Sequence, residues 1–330
     1  RIRMIESAEE TWDDKLDADE DGAGSRFNFL GVIFGPDLLP PHPQLTSHVS
    51  NPTPLHLGGS EYRVFYASRD VRDRSSIAYF DFDIDRLAVT NIGRNPLFSF
   101  GSPGKFFSHG VTPGSLYQAA GQLWLSFMGW RIPAPGQQWR GEIGLLKLNH
   151  QKTDATLYSE DPLLGREAAD PVSLSYPGIV RLDDGGYLMI YGSTVTWDAG
   201  NGEMLHILKV ASSPNGFDWR PIGRPHPHTL GGAQAFSGPN LVSTGSGMYD
   251  VYFSYRGAPP SKYKIGRSRF HSTDCSWQRL PDPLISGLDS ATIGLEMQEY
   301  PSVFRHRGRT FMLFNGDGYG RTGVGLAVAD

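Results

Sequence analysis

Apolar residues recur along the chain in runs of strand length, and these runs follow a repeated order. Five stretches each contain a proline, a short apolar run, a turn and a second apolar run; they read NPTPLHLGGSEYRVFYASRD, TPGSLYQAAGQLWLSFMGW, YPGIVRLDDGGYLMIYGS, GPNLVSTGSGMYDVYFSYR and YPSVFRHRGRTFMLFNGDG. A proline is tolerated at the first residue of a strand, and Tyr, Phe, Val and Ile favour a pleated surface. Each stretch therefore predicts two antiparallel strands joined by a tight turn.

The spacing of these stretches is regular. Successive prolines lie 61, 64, 62 and 62 residues apart, at Pro52, Pro113, Pro177, Pro239 and Pro301. An aromatic residue of the second run follows each proline by 14 residues, or by 13 in the last repeat; these residues are Tyr66, Phe127, Tyr191, Phe253 and Phe314. A proline and an aromatic residue that recur at nearly the same spacing in five stretches indicate a repeat architecture.

Each repeat has room for four strands. A third apolar run is visible in every repeat, for example SSIAYFDFDI and MLHILKVASS, and the spacer before the next proline can hold a fourth. No run carries helical periodicity at helix length. The repeats predict an all-β fold, a five-bladed β-propeller with four antiparallel strands per blade. A β-sandwich is the alternative, but it does not predict a regular repeat of this length.

The repeats assign residues 46–330 to a single propeller domain. Residues 1–45 are predicted to be an acidic N-terminal arm and lead-in, because the first 27 residues hold nine acidic and four basic side chains and lack a strand pattern. The arm is either a solvated extension or a segment that docks on a blade or a partner chain, and the sequence leaves both readings open.

Charge and cysteine content narrow the class of protein. The net charge of −5, without a basic cluster, argues against a nucleic-acid partner, and no apolar stretch is long enough to cross a membrane. One cysteine, Cys275, allows no intrachain disulfide and fits a reducing compartment. No signal-peptide pattern is visible, so we expect a cytoplasmic protein. The oligomeric state is left open.

The strand order predicts where a functional site lies. In a propeller the first strand of each blade lines the channel, and the antiparallel second strand returns to the face where the first began. Residues just before the prolines and residues that end the second strands should therefore share one channel mouth. The residues before the prolines are Ser50-Asn51, Val111-Thr112, Ser175-Tyr176, Ser237-Gly238 and Glu299-Tyr300, of which Asn51, Tyr176 and Glu299 are chosen as candidates. Candidates that end the second strands are Arg69, Asp70, Trp130, Trp197, Arg256 and Asp317. Aromatic faces can stack on the C–H side of a sugar ring, and charged side chains can hold hydroxyl groups or a phosphate.

The pattern resembles the propellers of glycoside hydrolase families 43, 32, 68 and 130 and their uncharacterised bacterial relatives. The motifs that carry the resemblance are Arg69-Asp70, GVTPGSLY with FMGW, TVTW, FSYR, and EYPSVF with FNGDGYGRTGVG, and they cover residues 46–330. The resemblance implies a five-bladed fold and a carbohydrate-active site in a central funnel. It also implies an Asp general base before the first-blade proline, where this chain has Asn51, and an amide cannot act as a base.

Carboxylates elsewhere are the candidates for catalysis. Glycoside hydrolysis ordinarily needs two. We expect Glu299, two residues before Pro301, to be the acid, and Asp70 or Asp317 to be its partner, because the first and fifth blades become neighbours when the ring closes. Each has a structural alternative: an ion pair for Glu299, a turn cap for Asp70, and a turn residue or calcium ligand for Asp317.

The remaining candidates are substrate-binding residues. Arg69 and Arg256 are expected to clamp an anion or hydroxyl groups, and Trp130 and Trp197 to stack on a sugar; Asn51, His109, Asp170, Tyr176 and Glu296 complete the set. His226 and His228 have tempting spacing for a metal but lack a third ligand. We predict no metal and no cofactor.

Three functions follow from this set. The first is an enzyme that cleaves or transfers a glycosyl group of a small-molecule or oligosaccharide substrate. The second is a repurposed propeller of a biosynthetic pathway, doing cyclisation, elimination or group transfer, which Asn51 favours. The third is a non-catalytic sugar-binding module, which predicts that no two carboxylates converge.

Overall fold

The structure is a computed structural model that describes residues 25–288, 293 and 296–330. The predicted acidic arm, up to residue 24, lies outside the described residues. Within them the chain forms 21 strands and one short 3-10 helix at Pro36–Leu38. None of the described segments forms a helix long and apolar enough to cross a membrane.

The strands follow the predicted order. The first, β1, spans Arg26–Phe34. The first blade contains β2 (Ser47–Gly58), β3 (Glu61–Arg69), β4 (Ser75–Asp83) and β5 (Ala88–Ile92). The second contains β6 (Gly110–Ala119), β7 (Gln122–Arg131), β8 (Arg140–Leu148) and β9 (Ala155–Leu157). The third contains β10 (Ser173–Arg181), β11 (Tyr187–Thr196), β12 (Leu205–Ser213) and β13 (Arg220–Ile222).

The fourth blade contains β14 (Ala235–Gly245), β15 (Met248–Arg256), β16 (Lys264–His271) and β17 (Ser276–Leu280). The chain then adds β18 (Leu284–Ser286), β19 (Glu299–His306), β20 (Arg309–Asn315) and β21 (Val324–Ala329). Within every blade each strand pairs antiparallel with the next. The inner strands β2, β6, β10, β14 and β19 each contact the next, and β19 contacts β2. The predicted propeller fold is confirmed.

The last blade is completed from the other end of the chain. Strand β1 pairs antiparallel with β21, and β18 adds parallel to the outer side of β1. Residues 26–34 were predicted to belong to the lead-in, yet they form a blade strand. The physical reason lies in RFNFLGVIF, whose apolar and aromatic side chains favour a pleated surface. Phe27 and Phe34 of this strand are buried in the core.

The repeated aromatic residues form the packing between blades. Tyr66, Phe127, Tyr191, Phe253 and Phe314 are all fully buried. Tyr66, for example, packs in one cluster with Phe311 and Leu313 of the last blade, which helps to close the ring. Burial of a side chain of this size stabilises the fold by about 1.5–3 kcal/mol. The constant spacing in the sequence therefore reports a constant packing position.

Each inner strand carries a β-bulge at its proline. In four blades the residue before that proline has a left-handed backbone, with φ of 55° at Asn51, 37° at Tyr176, 58° at Gly238 and 51° at Tyr300. Such a conformation is uncommon for a bulky residue, and a bulge re-aims the side chain that it displaces. The bulges thereby place Asn51, Tyr176 and Tyr300 at the mouth of the channel.

Candidate functional site

One end of the channel opens into a cavity of about 450 Å³. Its wall combines residues beside the inner-strand prolines with residues that end the second strands, as the antiparallel order requires. The structure brings five of the predicted site residues together in this wall: Asn51, Arg69, Trp130, Tyr176 and Arg256.

Two tyrosines form the floor of the cavity. The rings of Tyr176 and Tyr300 lie 5.5 Å apart, and their hydroxyl oxygens are separated by 3.5 Å. With Asn51 they lie between the cavity and the axial channel of about 220 Å³, which all five inner strands line. The backbone N–H groups of the bulges are bonded: that of Asn51 donates to Asn315 Oδ1 and that of Tyr300 to Ser254 Oγ. The floor is therefore held by fixed backbone.

Arg256 is a rigid part of one wall. Its Nε lies 2.8 Å from Glu203 Oε2, its Nη1 donates to the hydroxyl of Tyr319, and its guanidinium lies over the ring of Tyr263 at 4.5 Å. These contacts fix the plane of the guanidinium.

Arg69 also lines the cavity, with far fewer contacts. Its guanidinium lies 3.7 Å from Asp73 Oδ1, and the side chains of Arg69 and Asp73 are 39% and 75% exposed. An ion pair so exposed contributes little to stability. Asp73 is the single carboxylate among the described residues of the cavity wall.

Glu299 does not line the described cavity wall and is fully buried. Neither carboxyl oxygen has a hydrogen-bond partner among the described residues. Burial raises the pKa of Glu299 well above its usual range, although the charges of Arg256 and Arg69 partly oppose the effect. The site therefore favours a protonated, neutral carboxyl between two cations.

Glu299 stands at a position where the other four blades carry a small hydroxyl side chain. The residues of matching register, each paired with the residue after the buried aromatic of the second strand, are Ser50, Thr112, Ser175, Ser237 and Glu299. A carboxyl occurs at this position in the last blade alone. The exception supports a special role for this position, because the fold itself is built with small side chains there.

Two predicted carboxylates are engaged in structural contacts away from the cavity wall. Asp70 accepts hydrogen bonds from the backbone N–H groups of Arg72 and Arg74 and from Arg74 Nε. Burial alone would raise the pKa of Asp70, but these bonds outweigh it and lower the pKa. Asp170 accepts from Tyr191, Ser193 and Lys209 in the third blade.

The other two carboxylates line a second cavity of about 350 Å³, which shares Arg256 and Tyr319 with the first. Glu296 and Asp317 lie in its wall, and Asp317 Oδ1 accepts a hydrogen bond from the backbone N–H of Met297. The described structure therefore does not bring two of the predicted carboxylates together in the central cavity. Nor does it contain a group of three His, Cys, Asp or Glu side chains arranged to hold a metal ion.

One aromatic candidate lines the cavity, and the other two pack against residues that line it. Trp130 lines the cavity, and its indole N–H donates to Ser75 Oγ at 3.0 Å. His109 lies outside the wall with its ring 6.1 Å from that of Trp130. Trp197 packs edge-to-face against Trp139, which does line the cavity. Trp197 and His109 thus position neighbours of the cavity.

Several wall residues were not predicted: Trp139, His206, Tyr263 and Tyr319. Tyr300 was expected at the channel mouth because it directly precedes Pro301, as Tyr176 precedes Pro177, but it was not chosen as a site residue. His206 is buried between Ser175 Oγ and Thr194 Oγ1, each 2.7 Å from a ring nitrogen, and burial lowers its pKa to about 4. No sequence motif marks His206, Trp139 or Tyr263.

Sequence comparison gives one group of relatives. No known family model matches the chain. The uncharacterised proteins MT1551 and Rv1502, from two strains of Mycobacterium tuberculosis, are 33% identical to it over 285 residues, which cover 86% of this chain and 93% of theirs.

Solved structures show the same fold. A protein from a study titled "The GH130 family of mannoside phosphorylases contains glycoside hydrolases that target beta-1,2 mannosidic linkages in Candida mannan" superposes with a TM-score of 0.68 at 14% identity, over 95% of this chain and 96% of that one. A thermostable family-43 glycoside hydrolase superposes with a TM-score of 0.59 at 13% identity, over 90% and 92% of the two chains. The resemblance to glycosidase propellers is thereby confirmed for the fold.

Proposed function

The chain belongs to the family of the uncharacterised Mycobacterium tuberculosis protein Rv1502, and from this premise we propose that it is a carbohydrate-active enzyme that cleaves or transfers a glycosyl group in the central cavity. The observation that carries the proposal is the composition of that cavity at the mouth of a glycosidase-like propeller. Two arginines and a set of aromatic rings face one space of about 450 Å³, a volume in the range of small-molecule sites.

Each part of the wall has a role in holding a sugar. The Trp130 and Trp139 rings offer apolar faces to the C–H side of a pyranose. The guanidinium groups of Arg69 and Arg256 bind hydroxyl or anionic oxygens with several N–H donors each. Asn51, at the position of a general base in related enzymes, binds a hydroxyl group instead.

Glu299 is the proton donor in this proposal. A carboxyl kept protonated by burial can give its proton to the oxygen of the leaving group as the glycosidic C–O bond breaks. The Glu299 carboxyl is buried and does not line the described cavity wall, so the role requires it to face the cavity when substrate binds.

Neither predicted partner of Glu299, Asp70 or Asp317, lies in the described wall of the cavity, and the one carboxylate there, Asp73, is largely solvated beside Arg69. Water needs a base for activation, whereas an acceptor that is already anionic does not. Transfer to such an acceptor fits the wall better than hydrolysis by two carboxylates.

A sugar-binding module without catalysis is the second candidate. It is favoured by the single carboxylate, Asp73, among the described residues of the cavity wall. In that case the cavity would hold its ligand unchanged, and Glu299 would affect affinity alone.

The experiment is to compare wild type, Glu299→Gln and Glu61→Gln on a panel of oligosaccharides, with and without inorganic phosphate. Glu61 begins β3, at the end of the strand away from the cavity, and serves as a matched control. The enzyme proposal expects Glu299→Gln to lose about 100-fold or more in turnover while substrate still binds. Unchanged turnover in that variant contradicts the acid assignment. Binding without turnover in wild type supports the module.

A further inference from the structure

Arg69 has the hydrogen-bonding capacity of a ligand site. A guanidinium carries five N–H donors, and in the described structure none of those of Arg69 is in a hydrogen bond. Its nearest carboxylate oxygen, Asp73 Oδ1, lies 3.7 Å away, beyond hydrogen-bond distance. Arg256, by contrast, is engaged by Glu203, Tyr263 and Tyr319. Of the two arginines in the cavity wall, Arg69 is therefore the one whose guanidinium N–H donors are available to a ligand.

The surroundings of Arg69 are electropositive. His48 is buried nearby, and its Nε2 accepts a hydrogen bond from Arg321 Nε at 3.2 Å. Burial, together with the charges of Arg69 and Arg321, lowers the pKa of His48 to about 4, so the ring is neutral at neutral pH. The buried carboxyl of Glu299 favours its neutral form as well. Beside Arg69, Asp73 is thus the main negative charge, and it is largely solvated.

A sugar-stacking face is fixed beside this fork. Arg69 pairs with Ser75 across β3 and β4, and Ser75 Oγ accepts the indole N–H of Trp130. All three side chains line the same cavity. A ligand that lays its ring on Trp130 would therefore present a substituent to Arg69.

We propose that the substrate is an acidic carbohydrate, a sugar bearing a carboxylate or phosphate group that is bound by the guanidinium of Arg69 while the ring stacks on Trp130. The inference rests on the proposed function and names its substrate class. The chemistry favours an anion over a neutral hydroxyl, because a guanidinium fork matches two oxygens of one carboxylate or phosphate. Such a group would displace the weak contact with Asp73.

The test measures dissociation constants by calorimetry for matched sets of ligands: glucose, galactose and mannose, their uronates, their 6-phosphates, and inorganic phosphate alone. The proteins are wild type, Arg69→Gln, Arg69→Lys and Arg220→Gln. Arg220 lies exposed on the outer strand β13, so Arg220→Gln is the matched control. Arg69→Lys keeps the charge without the fork and covers the case that Arg69→Gln does not fold.

The expected result is that at least one acidic sugar binds tenfold or more tightly than its neutral parent. Arg69→Gln should remove that preference and Arg69→Lys should reduce it, while Arg220→Gln retains it. Tighter binding of the uronate identifies a carboxylate, and tighter binding of the 6-phosphate identifies a phosphate.

Equal affinity for acidic and neutral sugars would overturn the inference and leave the proposed function standing. The inference also fails if inorganic phosphate binds as tightly as the sugar phosphates, because the site would then recognise an anion without a sugar. Absence of binding to every acidic member overturns it too. The oligosaccharide turnover assay with Glu299→Gln judges the proposed function separately.

Discussion

The phenol hydroxyls of Tyr176 and Tyr300 meet at the floor of the central cavity, with their oxygens 3.5 Å apart. Both residues immediately precede an inner-strand proline, and both have positive φ angles. The left-handed position before the proline therefore supplies one floor tyrosine from the third blade and another from the fifth. A backbone of this kind persists where the surrounding structure fixes it, and it is frequent at functional sites.

The packing of the two rings matters more to stability than their hydroxyl contact. At 3.5 Å the two oxygens are at the limit of a hydrogen bond, so we expect Tyr300→Phe to change the free energy of unfolding by less than about 1 kcal/mol. Tyr300→Ala removes a buried ring and should cost about 3–5 kcal/mol. Urea denaturation of the two variants checks this. Similar losses in both would mean that the hydroxyl, rather than the ring, holds the floor.

Glu299 should make the protein less stable as the pH rises. Its pKa is raised in the folded state, so between the unfolded pKa near 4.5 and the folded pKa the folded protein binds more protons than the unfolded chain. The contribution of the neutral carboxyl to the free energy of unfolding is fully present below the unfolded pKa. It decreases by about 1.4 kcal/mol per pH unit as the pH rises from the unfolded pKa to the folded pKa. Glu299→Gln cannot ionise, so its free energy of unfolding relative to wild type should increase from pH 4.5 upward.

The measurement is urea denaturation of wild type, Glu299→Gln and the control Glu61→Gln at half-unit steps from pH 4 to 8. Parallel curves for wild type and Glu299→Gln would mean that the buried carboxyl does not hold its proton.

The propeller was predictable because each repeat carries the same residue types at the same local structural positions. Prolines such as Pro52 mark bulged inner strands, and aromatics such as Tyr66 mark the packing between blades. The cavity wall followed from antiparallel geometry alone, which placed Asn51, Trp130 and Arg256 together. Strand β1 was missed because it completes a blade whose other strands lie at the far end of the chain, a pairing that carries no local signal.

The spacing of the carboxylates did not decide between their catalytic and structural alternatives, and at Asp70 the structure shows the alternative of a turn cap. Asp70 follows Arg69 in sequence, yet its oxygens turn to the N–H groups of Arg72 and Arg74 while Arg69 faces the cavity. A one-residue step along a strand end reverses the direction of the side chain. His206 was missed because it lies on β12, the third strand of its blade, and not on a first or second strand. Its ring occupies the space beside Gly192, where an added Cβ would lie 2.4 Å from His206 Nε2.

Asp70 should act on the turn rather than on the ligand. Asp70→Ala leaves the N–H groups of Arg72 and Arg74 without their acceptor, so we expect a loss of about 1–3 kcal/mol in the free energy of unfolding. Sugar affinity of the folded variant should change less than threefold. Calorimetric titration beside urea denaturation measures both. A large loss of affinity with little loss of stability would return Asp70 to the site.

His206 should give the protein a pH dependence of the opposite sign from that of Glu299. Burial lowers the pKa of His206 to about 4, so between pH 4 and 6.5 the unfolded chain binds the extra proton and stability falls as the pH falls. The full shift corresponds to about 3 kcal/mol. His206→Gln also loses the hydrogen bonds to Ser175 and Thr194, so it should be less stable at pH 7, but it should lack this acid loss.

The difference in free energy of unfolding between wild type and His206→Gln therefore isolates the histidine from Glu299, which titrates in both proteins. We expect that difference to shrink steadily from pH 6.5 to 4. The exposed His150 provides the control, because His150→Gln changes an imidazole that the fold does not desolvate. A difference that stays constant with pH would mean that the folded protein accepts the proton on His206. In that case the contacts with Ser175 and Thr194 must rearrange to solvate an imidazolium at the cavity wall.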